Sequence, residues 1–287
     1  GVAHSAIYNI DAMKHFRAAV DACLLYCRFD PDMHNYDYDV FDSLSNETKY
    51  RVGYRQGLTI RDLDAFDKLE FLLGASGEKW RSGIKHDCSE IMELTENDGK
   101  LFNGLGEIVD IETDFVYPLL KGSDVANDRV SETKRFMIVP QRSVGEETKP
   151  LKTIAPKIWS YLESHAIYLD SRKSKIYQNN PRFSIFGVGS YTFAPWKIAI
   201  CSLYKNLKFR LIGQAQSKPI VFDDTIYFLS FENYEEAKDV FDFLLSENVQ
   251  RFLSALIFWD EKRPIKTSIL NNLKIPNSRV VLQQEMF

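Results

Sequence analysis

NNPRFSIFGVGSYTFAPWKIAICSLYKNLKFRLIG, residues Asn179 to Gly213, is the stretch on which the reading of this chain turns. Its apolar runs end at glycines or at Pro195, which predicts short strands joined by tight turns. Phe183, Phe186, Tyr191, Phe193, Trp196 and Tyr204 stand among Arg182, Lys197, Lys205, Lys208 and Arg210, with no acidic residue between them. Cations take phosphates while planar rings take bases or sugars, so a sheet offering both suits nucleic acid. The alternative is a β core edged with solvated lysines, since aromatic-rich strands are ordinary core.

Charge outside this stretch favours the first reading. The net charge of −4 conceals a division along the chain. Residues 1–133 carry 14 basic and 25 acidic side chains, whereas residues 134–218 carry 15 basic and 4 acidic. Residues 219–287 return to an acidic balance, 7 against 11. A basic middle inside an acidic protein points to a binding face.

The 287 residues suffice for two domains or one large core, and 45% hydrophobic with 26% charged residues describes a globular protein. No apolar run nears membrane-spanning length, and no signal peptide is evident. Cys23, Cys27, Cys88 and Cys201 form neither a disulfide framework nor a paired metal motif. Cys23 and Cys27 lie in an apolar run and are expected to be buried thiols. A reducing cytoplasm fits these cysteines.

Along the chain, the run VDACLLYCRF (20–29) reads as a buried strand near the tail of a sheet whose other strands lie upstream. Residues 30–45 are acidic and turn-rich, and a boundary is expected there. A hairpin is expected across Gln56–Gly57, then a helix capped by Asp62 and running to Gly74. Strands broken at Asp98–Gly99 and Asn103–Gly104 follow, then YPLLKGSDVAN, extended at first and then looped, and a strand over Phe136–Val139. Residues 156–174 carry a helical apolar face of Ile158, Tyr161, Leu162, His165, Tyr168 and Leu169. A strand pair around residues 218–231 precedes helices over 233–245, 248–259 and 266–273.

Several constellations can be set aside. The Gly-Val-Gly at 187–189 is too short for a dinucleotide or phosphate fingerprint. Asp223–Asp224 would point to opposite faces of a strand, with no third carboxylate at nuclease spacing. His165 on an apolar helix face is expected to be a satisfied core histidine, and the 5 histidines show no zinc pattern. Lys262 and Arg263 are expected to pair with acidic neighbours at a helix end.

WRSGIKHDCSEIMEL (80–94), NGLGEIVDIE (103–112), YPLLKGSDVAN (117–127), QRSVGEET (141–148), LDSRKSKIYQNNPRFSIFGVGSYTFAPWKIAI (169–200), VFDDTIYFLSF (221–231) and LIFWDEKRPI (256–265) occur in this order. Together they resemble the C-terminal part of adenine-specific DNA methyltransferases of type II restriction–modification systems, with a TaqI-like specificity domain. IYNIDAMKHFRAAVDACLLYCRF (7–29) resembles the last strands of their catalytic domain. The resemblance implies an α+β fold, small mixed β-sheets with flanking helices, preceded by the last strands of a Rossmann-like methyltransferase domain. It divides the chain into that tail (1–30), a connecting β-rich subdomain (31–112) and a DNA target-recognition domain (113–287).

In that family the catalytic half binds S-adenosylmethionine through a glycine-containing strand–turn and holds the flipped adenine in an Asn-Pro-Pro-Tyr/Phe pocket. Asn180-Pro181-Arg182-Phe183 resembles that pocket, but arginine replaces the second proline and no glycine-rich strand precedes it. The chain is therefore expected to lack catalytic, cofactor-binding and metal residues and to serve recognition, with S-adenosylmethionine implied for the parent enzyme. Alternatives are a subunit of a split methyltransferase, a fused restriction nuclease, or a basic protein-interaction module. The expected partners are duplex DNA and a catalytic domain, upstream or in trans. Arg172, Lys173, Lys175, Lys205 and Lys208 are the expected phosphate contacts. Arg182, Tyr191, Phe193, Trp196 and Lys197 are expected near the bases, with Arg142 and Ser143 on a nearby loop. Arg81, Ser82 and Lys85 are expected to add a second contact strip.

Overall fold

A computed structural model describes residues 1–45 and 49–276. Its first sheet holds β1 (Val2–Ile10), β2 (Ala22–Phe29), β3 (Tyr38–Phe41), β4 (Lys49–Arg55) and β5 (Leu58–Ile60), in the order β2-β1-β3-β4-β5. The pairing is antiparallel except between β1 and β3, which run parallel. Between β1 and β2 sits α1 (Ala12–Phe16), capped by the Asp11 carboxylate, which accepts from the Lys14 amide. The hairpin joining β4 to β5 turns at Gln56 (φ 48°) and Gly57 (φ 85°), the paired left-handed geometry that two-residue loops require. Asp62 then caps α2 (Leu63–Leu69) by accepting from the Ala65 amide.

The chain continues through β6 (Arg81–Ser82), α3 (Ser89–Met92), β7 (Glu93–Asn97), β8 (Lys100–Phe102), β9 (Ile108–Val109), β10 (Val116–Leu120), α4 (Gly122–Ala126) and β11 (Arg135–Ile138). After these come α5 (Leu151–Ile154), α6 (Pro156–Ser164), α7 (Ala166–Asp170), β12 (Trp196–Cys201), β13 (Arg210–Ile212), β14 (Val221–Phe222) and β15 (Ile226–Phe231). The last helices are α8 (Tyr234–Leu245), α9 (Glu247–Leu256) and α10 (Thr267–Leu270). Two further sheets result, ordered β14-β10-β11-β7-β8-β9 and β13-β12-β15-β6. The fold is α+β, built from small mixed sheets with flanking helices.

Three apolar clusters follow from this layering. One lies between the four-stranded sheet and α2, α8 and α9, with Ile198, Ile200, Leu229, Phe66, Val240 and Phe252 at its centre. A second fills the space between the six-stranded sheet and α5–α7, where Leu94, Leu119, Met137, Ile158, Leu162 and Phe183 are buried. The third covers the opposite face of the four-stranded sheet, with Ala199 and Phe228 against Leu120, Val125 and Phe222. The four-stranded sheet is thus covered on both faces.

Several expectations need correction. Residues 183–189 do not form a strand; they cross the core as irregular chain, with one bridge from Phe186 to Lys85. A 3-10 turn over Ser190–Phe193 follows, so Asn179–Gly213 contains only β12 and the short β13. Residues 122–126 form α4 instead of a loop. The helix expected over 156–174 breaks at His165 into α6 and α7 and ends at Asp170. VDACLLYCRF is not buried: β2 is an edge strand exposed along most of its length, and Cys23 is exposed. Strand pairing joins β1 to β3 and β7 to β11, so the expected segments 1–30, 31–112 and 113–287 share sheets.

Candidate nucleic-acid interface

The aromatic and basic residues gather around the 3-10 turn Ser190–Phe193. The turn is fixed at its start, where the Gly189 amide donates to the Thr192 hydroxyl at 3.1 Å. At its far side the Ala194 carbonyl accepts from the Lys197 ammonium at 2.7 Å. Tyr191 leans on Phe228 of β15, while Phe193 leans on Tyr117 of β10, at ring separations of 6.0 and 5.2 Å. The two rings therefore root the turn in two different cores.

Each ring carries a guanidinium. Arg81, on β6, lies 5.1 Å from the centre of Tyr191. Arg142, on the loop after β11, lies 4.4 Å from the centre of Phe193 and 5.7 Å from Tyr117. Both arginines are exposed, and among the described residues neither forms an ion pair. Burial raises the Tyr191 and Tyr117 phenols above their ordinary range, and the adjacent guanidiniums oppose that rise.

The supporting backbone is rigid on both sides. The Glu146 carboxylate accepts from the amides of Arg142 and Ser143 at 2.5 and 2.9 Å, closing the loop that carries them. The buried Gln141 side chain donates to the Glu146 carbonyl and accepts from the Ile185 amide. β6 is pinned to β15 through Ser82–Tyr227 and Arg81–Phe228. Beside it, Gly187 (φ 71°) sits so close that a Cβ there would lie 2.4 Å from the Gly83 carbonyl.

Other expected contacts have different fates. Lys197 is a correction: it is 1% exposed, beneath the turn, and burial lowers its ammonium to about 7 despite the charge of Glu232. It cannot reach a base. Arg172 is likewise corrected as a phosphate contact. Its guanidinium donates to the carbonyls of Leu169, His86 and Ser184 and lies 3.7 Å from the Tyr177 ring centre. Burial pulls its pKa down from the ordinary value. Trp196 faces the helix-covered side of the sheet, 4.7 Å from Tyr234 and tight against Gly213.

Arg182 is exposed but paired with Asp170 at 2.8 Å. Lys85 pairs with Asp87 at 3.3 Å, Ser143 is exposed, and Ser82 is half-buried at the sheet edge. Lys173, Lys175, Lys205 and Lys208 are exposed, and none has an ion pair among the described residues. Lys205 borders a cleft lined by α1, the start of β2 and Asp260.

Much of the basic block is neutralised internally. Arg135 joins the Asp124 carboxylate, Arg210 pairs with Asp128 at 2.7 Å, and Lys157 pairs with Asp110 at 2.8 Å. Lys218 donates to the carbonyls of Thr113 and Val116. The sequence reading missed Tyr117, which completes the aromatic seat of Arg142; YPLL reads only as strand core. It also missed the Lys121–Glu93–His86 chain, with Glu93 at 2.6 Å from Lys121 and 3.3 Å from His86. Burial opposes the Glu93 charge, yet these two partners hold its pKa below the ordinary value.

The remaining constellations are structural. The His165 ring nitrogens lie 2.7 Å from two acceptors, the Tyr161 carbonyl at Nδ1 and the Glu107 carboxylate at Nε2, as expected of a satisfied histidine. Asp223 accepts from the Thr225 hydroxyl and is pushed up by burial, and Asp224 lies 3.8 Å from Arg263. Arg263 therefore pairs across the fold instead of with a sequence neighbour. Among the described residues no group of three His, Cys, Asp or Glu side chains could hold a metal, and no helix is long and apolar enough to cross a membrane.

No family model matches the chain. It is 54% identical over 275 residues to the Type II methyltransferase M.NspV of Nostoc sp.. The match covers 96% of this chain and 57% of that protein, so the chain spans little more than half the relative's length. The resemblance to type II methyltransferases is met by this relative. A looser likeness links the chain to the Type IIL restriction–modification enzyme MmeI, solved in complex with DNA. The TM-score is 0.48 with 9% identity, over 94% of this chain and 34% of that one.

Proposed function

We propose that this chain is the target-recognition portion of an adenine-specific, S-adenosylmethionine-dependent type II DNA methyltransferase with a TaqI-like specificity domain. It grips duplex DNA while a catalytic domain, upstream or in trans, extrudes and methylates the adenine. An enzyme acting on a base must unstack it, and the distorted duplex needs a second hold. The observation that carries DNA binding is the turn at 190–193, flanked by two exposed guanidiniums without carboxylate partners among the described residues. Lys173, Lys175, Lys205 and Lys208 supply phosphate contacts around it. The 54% identity to a Type II methyltransferase narrows the chemistry of the parent.

The glycine turn after Asn180–Phe183 does not fit the methyl donor. The Gly187–Gly189 turn offers no open cradle, because the Gly83 backbone and the Tyr191 ring already occupy the space beside its glycines. The methyl donor and the adenine pocket then belong to the rest of the parent. Residues 1–30 are the tail of its Rossmann-like domain, residues 31–112 the connecting part and residues 113–287 the recognition domain, each joined to the next by strand pairing, β1 with β3 and β7 with β11. Support for a neighbour there comes from β2, whose Leu24, Leu25, Tyr26 and Phe29 are all exposed along an unpaired edge.

Calorimetry and gel shifts test this directly. Duplex DNA at low salt should bind, and S-adenosylmethionine should give no saturable heat with this chain alone. Saturable binding of the methyl donor would place the catalytic site within the chain and overturn the assignment.

A further inference from the structure

Five arginines lie in the basic block, Arg135, Arg142, Arg172, Arg182 and Arg210. Arg135, Arg182 and Arg210 are each bound to a carboxylate, and Arg172 is spent on three backbone carbonyls. Among the described residues Arg142 alone of the five has neither a carboxylate nor a backbone carbonyl on its guanidinium; its side-chain hydrogen-bond partner is the Tyr117 hydroxyl, which leaves the other donors for a ligand. Arg81, upstream of the block, likewise has neither, and the two flank one four-residue turn.

An exposed arginine usually samples many rotamers and serves as a diffuse charge. These two are different. Each guanidinium rests on an aromatic ring that is itself wedged against a second ring, Tyr191 on Phe228 and Phe193 on Tyr117. A ring under a guanidinium restricts its orientation without consuming all five N–H donors, and on Arg142 the Tyr117 hydroxyl fixes the group further. The backbone under Arg142 is held by Glu146, and that under Arg81 by the β15 pairing. A planar donor fork fixed in orientation matches the O6 and N7 acceptors that guanine presents in the major groove. A flexible lysine satisfies a phosphate, but it does not satisfy that pair.

We infer that Arg81 and Arg142 are guanine readers, each bidentate to one guanine of the target site, with Tyr191 and Phe193 as the rings that orient them. This rests on the DNA reading above and deepens it. It divides the basic residues in two: a pair of arginines carries sequence, and the exposed lysines carry only affinity.

The experiment selects preferred duplexes from a randomised pool with the whole chain, then measures binding of Arg81→Ala, Arg142→Ala and the corresponding lysine variants. Both arginines are exposed, so thermal melting of the variants should match the parent. Each alanine variant should lose about ten-fold or more of its discrimination at one G·C pair, with little loss on unrelated duplex. Replacing that guanine by 7-deazaguanine, which lacks the N7 acceptor, should weaken the parent chain and leave the matching alanine variant unaffected. The lysine variants should not restore the preference. The inference is overturned if the alanine variants weaken all duplexes equally, or if lysine restores full discrimination, since either result makes these residues point charges. A parent chain with no duplex affinity at low salt overturns the DNA reading itself and this inference with it.

Discussion

Lys197 donates its ammonium to the carbonyl of Ala194 at 2.7 Å, directly beneath the turn that presents Tyr191 and Phe193. A lysine at 1% exposure with one carbonyl partner is costly to keep charged, which is why its pKa falls to about 7 from 10.5. The folded pKa is depressed, so the unfolded chain binds more protons between these values and stability rises with pH through that window. Above about pH 10.5 the stabilisation is complete; it is lost as pH falls through 7. Lys197→Met should flatten the rise, as read by urea unfolding at pH 7 and 9.5. An unchanged slope would mean that Lys197 is not buried in the folded chain.

Arg172 and Lys173 are adjacent in sequence and opposite in role. Arg172→Ala leaves three carbonyl acceptors without their donor, at a cost of about 1–3 kcal/mol in unfolding free energy. Lys173→Glu should leave stability within about 0.5 kcal/mol and weaken binding to every duplex alike. Thermal melting and gel shifts on both variants separate the roles. Equal destabilisation by both would contradict the burial of Arg172.

Phe183 tests the corrected path of the chain through residues 183–189. Its ring is fully buried, 5.3 Å from Trp159 of α6. Phe183→Ala should cost about 3–5 kcal/mol, a core penalty. A cost below about 1 kcal/mol would place this ring on the surface, as a sheet exposing its aromatics would have it.

The edge strand β2 tests the proposed neighbour. Its outer backbone groups are unpaired among the described residues, so their amides should exchange rapidly with solvent. Adding the catalytic domain in trans should slow exchange at Cys23–Arg28 and leave β12 unchanged. Persistent fast exchange in a complex that methylates DNA would remove β2 from the interface.

How much of this was legible in the sequence varies with the kind of signal. Local chemistry was enough for the Gln56–Gly57 turn, the Asp62 cap and the break at Asp98–Gly99, because those geometries depend on the residues themselves. Lys197 was not legible. Alternation along β12 sends Ile198 and Ile200 to one face and Lys197 and Ala199 to the other, and a lone lysine on a strand reads as the wet face. Only the fold shows that Leu120, Val125 and Phe222 cover that face too. Arg172 failed for a similar reason: its acceptors at His86 and Ser184 are brought by distant chain. β2 failed in the opposite sense, since a run of apolar residues does not say whether its cover lies within the same chain. The pairing of Arg81 with Tyr191 is 110 positions apart and carries no local signal.

Salt dependence of duplex binding tests the central claim most directly. Affinity of the chain for duplex DNA should fall linearly on logarithmic axes, by about 0.9 per phosphate neutralised. Lys173→Glu with Lys175→Glu should lower that slope, while Arg81→Ala changes preference at one base pair. Absence of duplex binding at low salt, or binding that an acidic protein displaces and duplex DNA does not, would contradict the account.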